Sequence, residues 1–230
     1  MPVLTPLEIE ALRLSLWVSV WAVAASLPLG IACAWILARL RFPGKSLLDG
    51  AIHLPLVLPP VVVGYALLVL FGRQGAIGRT LFALTGFSFA FNWKGAALAS
   101  AVVSFPLMVR AIRLSLESVD RGVEAAAATL GAGPVRVFFT VTLPLAMPGV
   151  LAGVILAFAR SLSEFGATIT FVSSIPGQTR TLPLALYALT QVPGGEAPAF
   201  RLCVISVAIA FATLVAADAL ARRIDRRMRG

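Results

Sequence analysis

In the run ARSLSEFGATIT, which begins at Ala159, two opposite charges stand four residues apart among apolar and hydroxyl side chains. A helix with that spacing brings Arg160 and Glu164 to one face, within ion-pair reach. Ser161, Ser163, Thr168 and Thr170 surround them, with the small Gly166 between. No nucleophile, acid and base fall together here, so the set does not suggest bond-making chemistry. An unpaired charge at the middle of a bilayer costs ~3 kcal/mol on insertion scales, which calls for pairing or for water. Two readings stay open. The pair ties down a helix end, or Arg160, Ser161, Ser163, Glu164, Gly166, Thr168 and Thr170 line a wet path or gate.

Other reactive residue types are sparse. Gly44-Lys45-Ser46 imitates the end of a phosphate-binding loop, but the earlier glycine that such a loop needs is Arg39. His53 is the single histidine and is expected at a membrane interface. Cys33 and Cys203 lie in apolar segments with no histidine nearby, a poor metal site, and read as buried free thiols.

The elements that hold these residues are written in the hydropathy. Of the 230 residues, 59% are hydrophobic and 13% charged. That charge fraction is about half of what a soluble domain carries, so the solvent is expected to be a lipid bilayer. The net charge of +9 comes without a basic run interleaved with aromatics, which argues against a nucleic-acid partner. Leu14 to Ala38 and Val137 to Ala159 run without a charge, and each exceeds the ~20 residues that cross a bilayer core. Five spans are predicted: Leu12 to Ala38, Ile52 to Phe71, Gly95 to Leu116, Leu143 to Leu162 and Ala199 to Ala221. Glu8 and Glu10 precede the first, which is too long for a signal peptide.

Basic residues give an orientation. With the N-terminus outside, the cytoplasmic side receives Arg39, Arg41, Lys45, Arg110, Arg113, Arg121 and Arg136. It also receives the tail arginines Arg222, Arg223, Arg226, Arg227 and Arg229. Two apolar segments are not obvious spans. Leu81 to Trp93 is phenylalanine-rich, and Phe165 to Leu189 is broken by Pro176, Gly177, Arg180 and Pro183. The second is a lining or gate at the outer side, an ordinary loop with a surface helix, or a sixth span that would put the tail outside. Prolines 55, 59, 60, 144 and 148 and the Gly149-xxx-Gly153 spacing suit a bundle of bent, closely packed helices.

The longest cytoplasmic connection, residues 118–144, reads SVDRGVEAAAATLGAGPVRVFFTVTLP. Glu124 to Leu130 is a strong helix former stopped by Gly131 and Gly133, and Pro134 forces a turn. An alanine-faced helix of this kind fits a partner's groove, or it packs as a hairpin on its own chain.

This loop resembles the signature loop of ABC importer permeases. Gly131, Val141, Leu143 and Pro144 keep that family's spacing, while Glu124 lies one residue early and Ala125 fills its slot. The resemblance implies that Glu124, Ala125, Ala126, Ala127, Gly131, Ala132, Gly133 and Pro134 form a coupling helix seated in a separate ATP-binding subunit. It is closer still to the molybdate importer permeases, through LPLVLPPVVVGYALLVLFG from Leu54, ARSLSEFGATITFVSSIPGQTRTLPLALY from Ala159, and QVPGGE from Gln191. What it implies is an all-α, multi-pass bundle of the type I importer permease (MetI-like) fold over residues 1–230, in a bacterial inner membrane. The implied partners are a second copy of the chain, two ATPase subunits carrying ATP and Mg, and an extracytoplasmic binding protein. The chain itself is expected to be non-catalytic, with no cofactor and no metal. Sulfate and tungstate permeases look related around Glu164-Phe165-Gly166, which leaves the oxyanion open. From other classes, an ion-gradient-driven secondary carrier would call for internal repeats, and a membrane enzyme for a catalytic set; neither is visible in the sequence.

Overall fold

The structure is a computed structural model that describes residues 5–229, with side chains to residue 219 except at 214, 217 and 218. All regular structure among the described residues is helical.

Helix α1 (Pro6–Arg39) opens with a capping box: Glu8 N donates to the Thr5 hydroxyl and Thr5 N donates to Glu8 Oε2 at 2.7 Å. Pro6 sits in the first turn, where its missing N–H costs nothing. The helix therefore begins earlier than the apolar run suggests, and Glu8 and Glu10 lie within it. At 34 residues it measures about 50 Å, well beyond a ~30 Å hydrocarbon core.

The second predicted span is not one rod. Helices α2 (Lys45–Val57) and α3 (Pro60–Phe71) meet at an angle of 114°. Pro59 and Pro60 both lack an N–H, and a residue before proline is pushed out of the helical region. Leu58 (ψ 140) and Pro59 (ψ 133) are extended accordingly. Helix α4 (Ala76–Thr85) accounts for part of the phenylalanine-rich segment.

Helix α5 (Trp93–Ser118), capped by Asn92, is the axis of the bundle. It contacts α1 along much of its length and also touches α2 and α3. The loop after it holds α6 (Arg121–Thr129), the single turn α7 (Pro134–Val137), a π-helical turn over Phe138–Thr142, and the short α8 (Leu143–Leu145). Helix α9 (Met147–Leu162) then sets off at 68° to the preceding segment. The fourth span is therefore bent at Ala146 rather than straight from Leu143. After it come α10 (Gly166–Val172), α11 (Leu182–Thr190) and α12 (Glu196–Arg229).

Length and apolarity qualify α1, α5 and the Glu196–Thr213 part of α12 to cross a membrane, and counting each bent pair as one span gives up to five. The side chains of the arginine tail, residues 222–229, lie outside the described residues.

Two buried clusters share α5. One holds Leu37, Met108, Val109, Ile112, Leu116 and Val150; the other holds Val18, Val63, Leu67, Val103, Phe171 and Val172. Glycine makes the approach of α9 to α5 possible. A methyl group on Gly153 would fall 3.0 Å from the Met108 carbonyl oxygen, and one on Gly149 would overlap Ser115. Both cysteines are free thiols, but Cys203 is exposed and Cys33 only half-buried. The expectation of buried thiols fails at Cys203 because α12 lies at the rim of the bundle, with 6% of its apolar window buried.

Candidate functional site

Helix α9 ends at Leu162, and the chain turns through Ser163, Glu164 and Phe165 before α10 begins. Glu164 is buried, with 2% of its surface exposed. Its Oε1 accepts from Ala167 N at 2.8 Å, holding the first turn of α10. Its Oε2 lies 2.7 Å from Arg160 Nη1. Burying a carboxylate is costly unless it is paired and hydrogen-bonded, and here both conditions hold. Arg160 keeps 27% of its side chain exposed, so the pair has one face toward the outside of the chain.

The other candidates divide by location. Ser163 is exposed, and its hydroxyl donates to the Arg160 carbonyl at 3.1 Å. Thr170 donates to the Gly166 carbonyl at 2.8 Å. Ser161 and Thr168 are buried, at 4% and 1% exposure, and neither hydroxyl has a hydrogen-bond partner. Gly166 packs beneath Pro60, where an added methyl would lie 2.9 Å from the proline Cβ. Arg160 and Glu164 are thus brought together. Ser161 and Thr168 face the bundle interior, and Ser163 faces outward.

Helix register gives the depth of the site. Gly153 is level with Met108 and Ile112, and Arg160 lies seven residues further along α9, about 10 Å. That sets the ion pair about 15 Å from the level of Trp93 along the 26-residue α5, well inside the bundle rather than at its end. The break between α2 and α3 falls at the same place. A methyl on Gly64 would fall 2.5 Å from the Ala167 carbonyl oxygen, so α3 and α10 are in backbone contact. Two interrupted helices meet where the two charges stand. Irregular backbone at that depth is tolerated when it is buried in protein or lines a cavity. Buried Ala167, Thr168, Phe171 and Val172 pack α10 into the bundle, so residues 166–172 are not a surface helix, while Pro176, Gly177 and Gln178 beyond them are exposed.

Beside the junction is a mostly apolar cavity of about 590 Å³. Ser163 and Phe165 meet Leu182 and Tyr187 of α11 and Ser206 and Thr213 of α12 there. The sequence offered Phe165 to Leu189, and so most of α11, as a lining, but not α12, whose local pattern marks nothing but apolar helix.

The 118–144 loop has the opposite character. Helix α6 buries no residue, although Asp120 caps it by accepting from Gly122 N at 2.8 Å. Val123, Leu130 and Val135 are 47%, 89% and 69% exposed. Ala125, Ala126, Gly131, Gly133 and Pro134 are exposed, while Ala127 and Ala132 are half-buried. Gly131 ends α6 with φ +85°, a left-handed conformation that glycine adopts without strain, and its N–H donates to Ala128 O at 3.0 Å. This chain therefore leaves three large apolar side chains of the loop uncovered. Glu124 alone among the predicted loop residues turns a charge to the bundle. It meets Arg39 Nη2 at 2.7 Å, and Thr142 Oγ1 donates to it at 2.6 Å. Neither Arg39 nor Thr142 is marked by any local motif.

His53 Nδ1 sits 3.1 Å from Asp49 Oδ1, and Asp49 also pairs with Arg113 at 3.0 Å, a surface network joining α2 to α5. No cluster of three or more His, Cys, Asp or Glu able to hold a metal occurs among the described residues.

Known proteins share this architecture and sequence. A chain of the MetNI methionine ABC transporter, in an inward-facing conformation, superimposes with a TM-score of 0.68, covering 94% of both chains at 15% identity. A bacterial ABC transporter involved in alginate import gives 0.75, over 96% of this chain and 81% of that one, also at 15% identity. Those likenesses concern the fold. In sequence, the molybdenum transport system permease protein ModB of Escherichia coli K12 is 63% identical over 220 residues, 96% of each chain. Its Haemophilus influenzae counterpart is 58% identical over 96% of this chain and 97% of its own. The sulfate transport system permease protein CysW of Synechococcus elongatus is 43% identical over 76% of this chain and 61% of its own. Residues 26–230 match the family described as binding-protein-dependent transport system inner membrane component. With nine-tenths of its length inside that match and such relatives beside it, the chain belongs to this family of ABC-importer permeases.

Proposed function

We propose that this chain is the membrane-spanning subunit of an ATP-driven importer for molybdate, working as a pair of copies with two ATPase subunits and an extracytoplasmic binding protein. One observation carries the substrate: the 63% identity, over 96% of both chains, to a molybdenum transport permease. The sulfate permease is a more distant relative at 43%, which makes sulfate the natural competitor to exclude.

In this reading the N-terminus is outside. Arg39, Arg113 and the whole of α6 then face the cytoplasm, as the distribution of basic residues favours. The exposed strip of Val123, Leu130 and Val135 lies in a cleft of the ATPase, which explains apolar surface on a helix that its own chain leaves uncovered. ATP binding favours the conformation in which the ATPases close together and the permease opens outward; hydrolysis shifts the population back. The α9–α10 junction lies on the path. Arg160 presents positive charge to an entering anion, and Glu164 neutralises enough of it that the anion is not held. Ser163 adds a neutral donor beside them.

The test is uptake of labelled molybdate into proteoliposomes that hold this chain and its ATPase, with binding protein outside and ATP inside. Uptake that requires ATP and is blocked by tungstate but not by sulfate supports the assignment. Uptake that runs on an ion gradient without nucleotide would replace it with a secondary carrier.

A further inference from the structure

We infer that Glu124 is a positioning residue that latches the coupling helix to the bundle of its own chain, and that Arg39 and Thr142 are the other parts of the latch. The inference rests on α6 being the helix that meets the ATPase. On α6, Arg121, Gly122, Val123, Ala125, Ala126, Ala128 and Thr129 are exposed; only Glu124 and Ala127 turn toward the bundle. One carboxylate oxygen, Glu124 Oε1, receives both Arg39 Nη2 at 2.7 Å and Thr142 Oγ1 at 2.6 Å. The same guanidinium nitrogen lies 3.4 Å from the Val119 carbonyl oxygen at the end of α5. Arg39 is the last residue of α1, and Thr142 is the last of the π-helical turn that leads to α9. Two transmembrane elements therefore converge on one side chain of the coupling helix, and Arg39 ties in the end of α5 as a third.

Burial gives the contact its strength. The Arg39 and Glu124 side chains are 10% and 20% exposed, so solvent screens them less than an open surface pair. Charge-assisted hydrogen bonds of this length are also stronger than neutral ones. No apolar side chain of α6 is fully buried and only the small Ala127 is half-buried, so packing contributes little to holding the helix in place. A force on α6 reaches α1 through Arg39, and it reaches the 68° bend at Ala146 through Thr142, four residues earlier. The π-helical turn fits a hinge here, since such turns are frequent at functional sites. Ala125, in the slot where related loops carry their glutamate, points outward. Moving the carboxylate by one residue turns it by about 100°, from the docking face to the bundle.

The experiment uses the whole transporter in proteoliposomes, with Cys33→Ser and Cys203→Ser as background. Nitroxide labels on Leu40→Cys and Thr129→Cys, the latter exposed on α6 and outside the assigned coupling residues, report the distance between α1 and α6 by pulsed electron paramagnetic resonance. The expected result is a narrow distribution that broadens equally in Glu124→Gln and Arg39→Gln, and no further in the double variant. ATPase should co-purify undiminished, while labelled molybdate uptake falls about fivefold or more in each single variant and no more in the double. Thr142→Val supplies a second break should Arg39→Gln fail to insert. An unchanged distribution in Glu124→Gln overturns the latch. So does loss of the ATPase from Glu124→Gln but not from Arg39→Gln, which would make Glu124 a direct docking contact. If the background transporter takes up no molybdate, the importer assignment fails, and the distance measurement still decides the latch.

Discussion

Glu8 and Arg201, 193 residues apart, close the bundle at the end opposite α6: Arg201 donates to Glu8 Oε1 from Nε at 3.0 Å and from Nη2 at 2.7 Å. The other carboxylate oxygen of Glu8 caps α1 through Thr5 N. One side chain thus joins the first helix to the last and starts the first.

Glu8→Ala should remove both functions and lower stability by about 1–3 kcal/mol, because it strands a partly buried guanidinium and an uncapped N–H. Glu8→Gln should cost less, since an amide oxygen still accepts from Thr5. Thermal unfolding of the purified chain in detergent gives the order: parent, then Gln, then Ala.

The contact between α3 and α10 leaves no room for a side chain at Gly64, where a methyl would meet the Ala167 carbonyl oxygen and Thr170 Cβ within 3 Å. Gly64→Leu should force the two interrupted helices apart and cost about 1–3 kcal/mol or more as overpacking. Gly50→Leu is the control, since nothing lies within 4 Å of a methyl there. Equal melting temperatures for the two variants would contradict the close approach.

Glu164→Gln keeps an acceptor for Ala167 N and removes the charge that pairs with Arg160. The fold should survive, while molybdate uptake per ATP hydrolysed should fall several-fold as the path holds its anion longer. Unchanged uptake and coupling would leave the pair a structural tie at the end of α9.

Leu130→Asp places a charge in the most exposed apolar position of the loop, 89% open. Desolvating that carboxylate in a partner's cleft is costly, so ATPase co-purification should drop by tenfold or more. Gly131→Trp, on the left-handed residue beside it, should insert normally and block uptake. Normal uptake by Gly131→Trp would remove the loop from the coupling pathway.

What the sequence determined by itself was whatever depends on composition and near neighbours. Long apolar runs with few charges give α1, α5 and α12 because a bilayer demands satisfied backbone over ~20 residues. Glu-Ala-Ala-Ala-Ala with Gly131 beyond it gives α6 and its stop, since helix propensity and the left-handed cap are local. Arg160 and Glu164 could be paired from spacing alone. The tertiary structure decided what depends on distant partners. Pro59-Pro60 announced a break, but only packing set the 114° turn and seated Gly64 on the α10 backbone. Whether Phe165–Leu189 lay on the surface or inside depended on contacts with α3 and α5, to which hydropathy is blind. The role of Glu124 turned on Arg39, 85 residues away. An ion pair leaves no periodic trace in a sequence, because only the fold brings its two charges within reach.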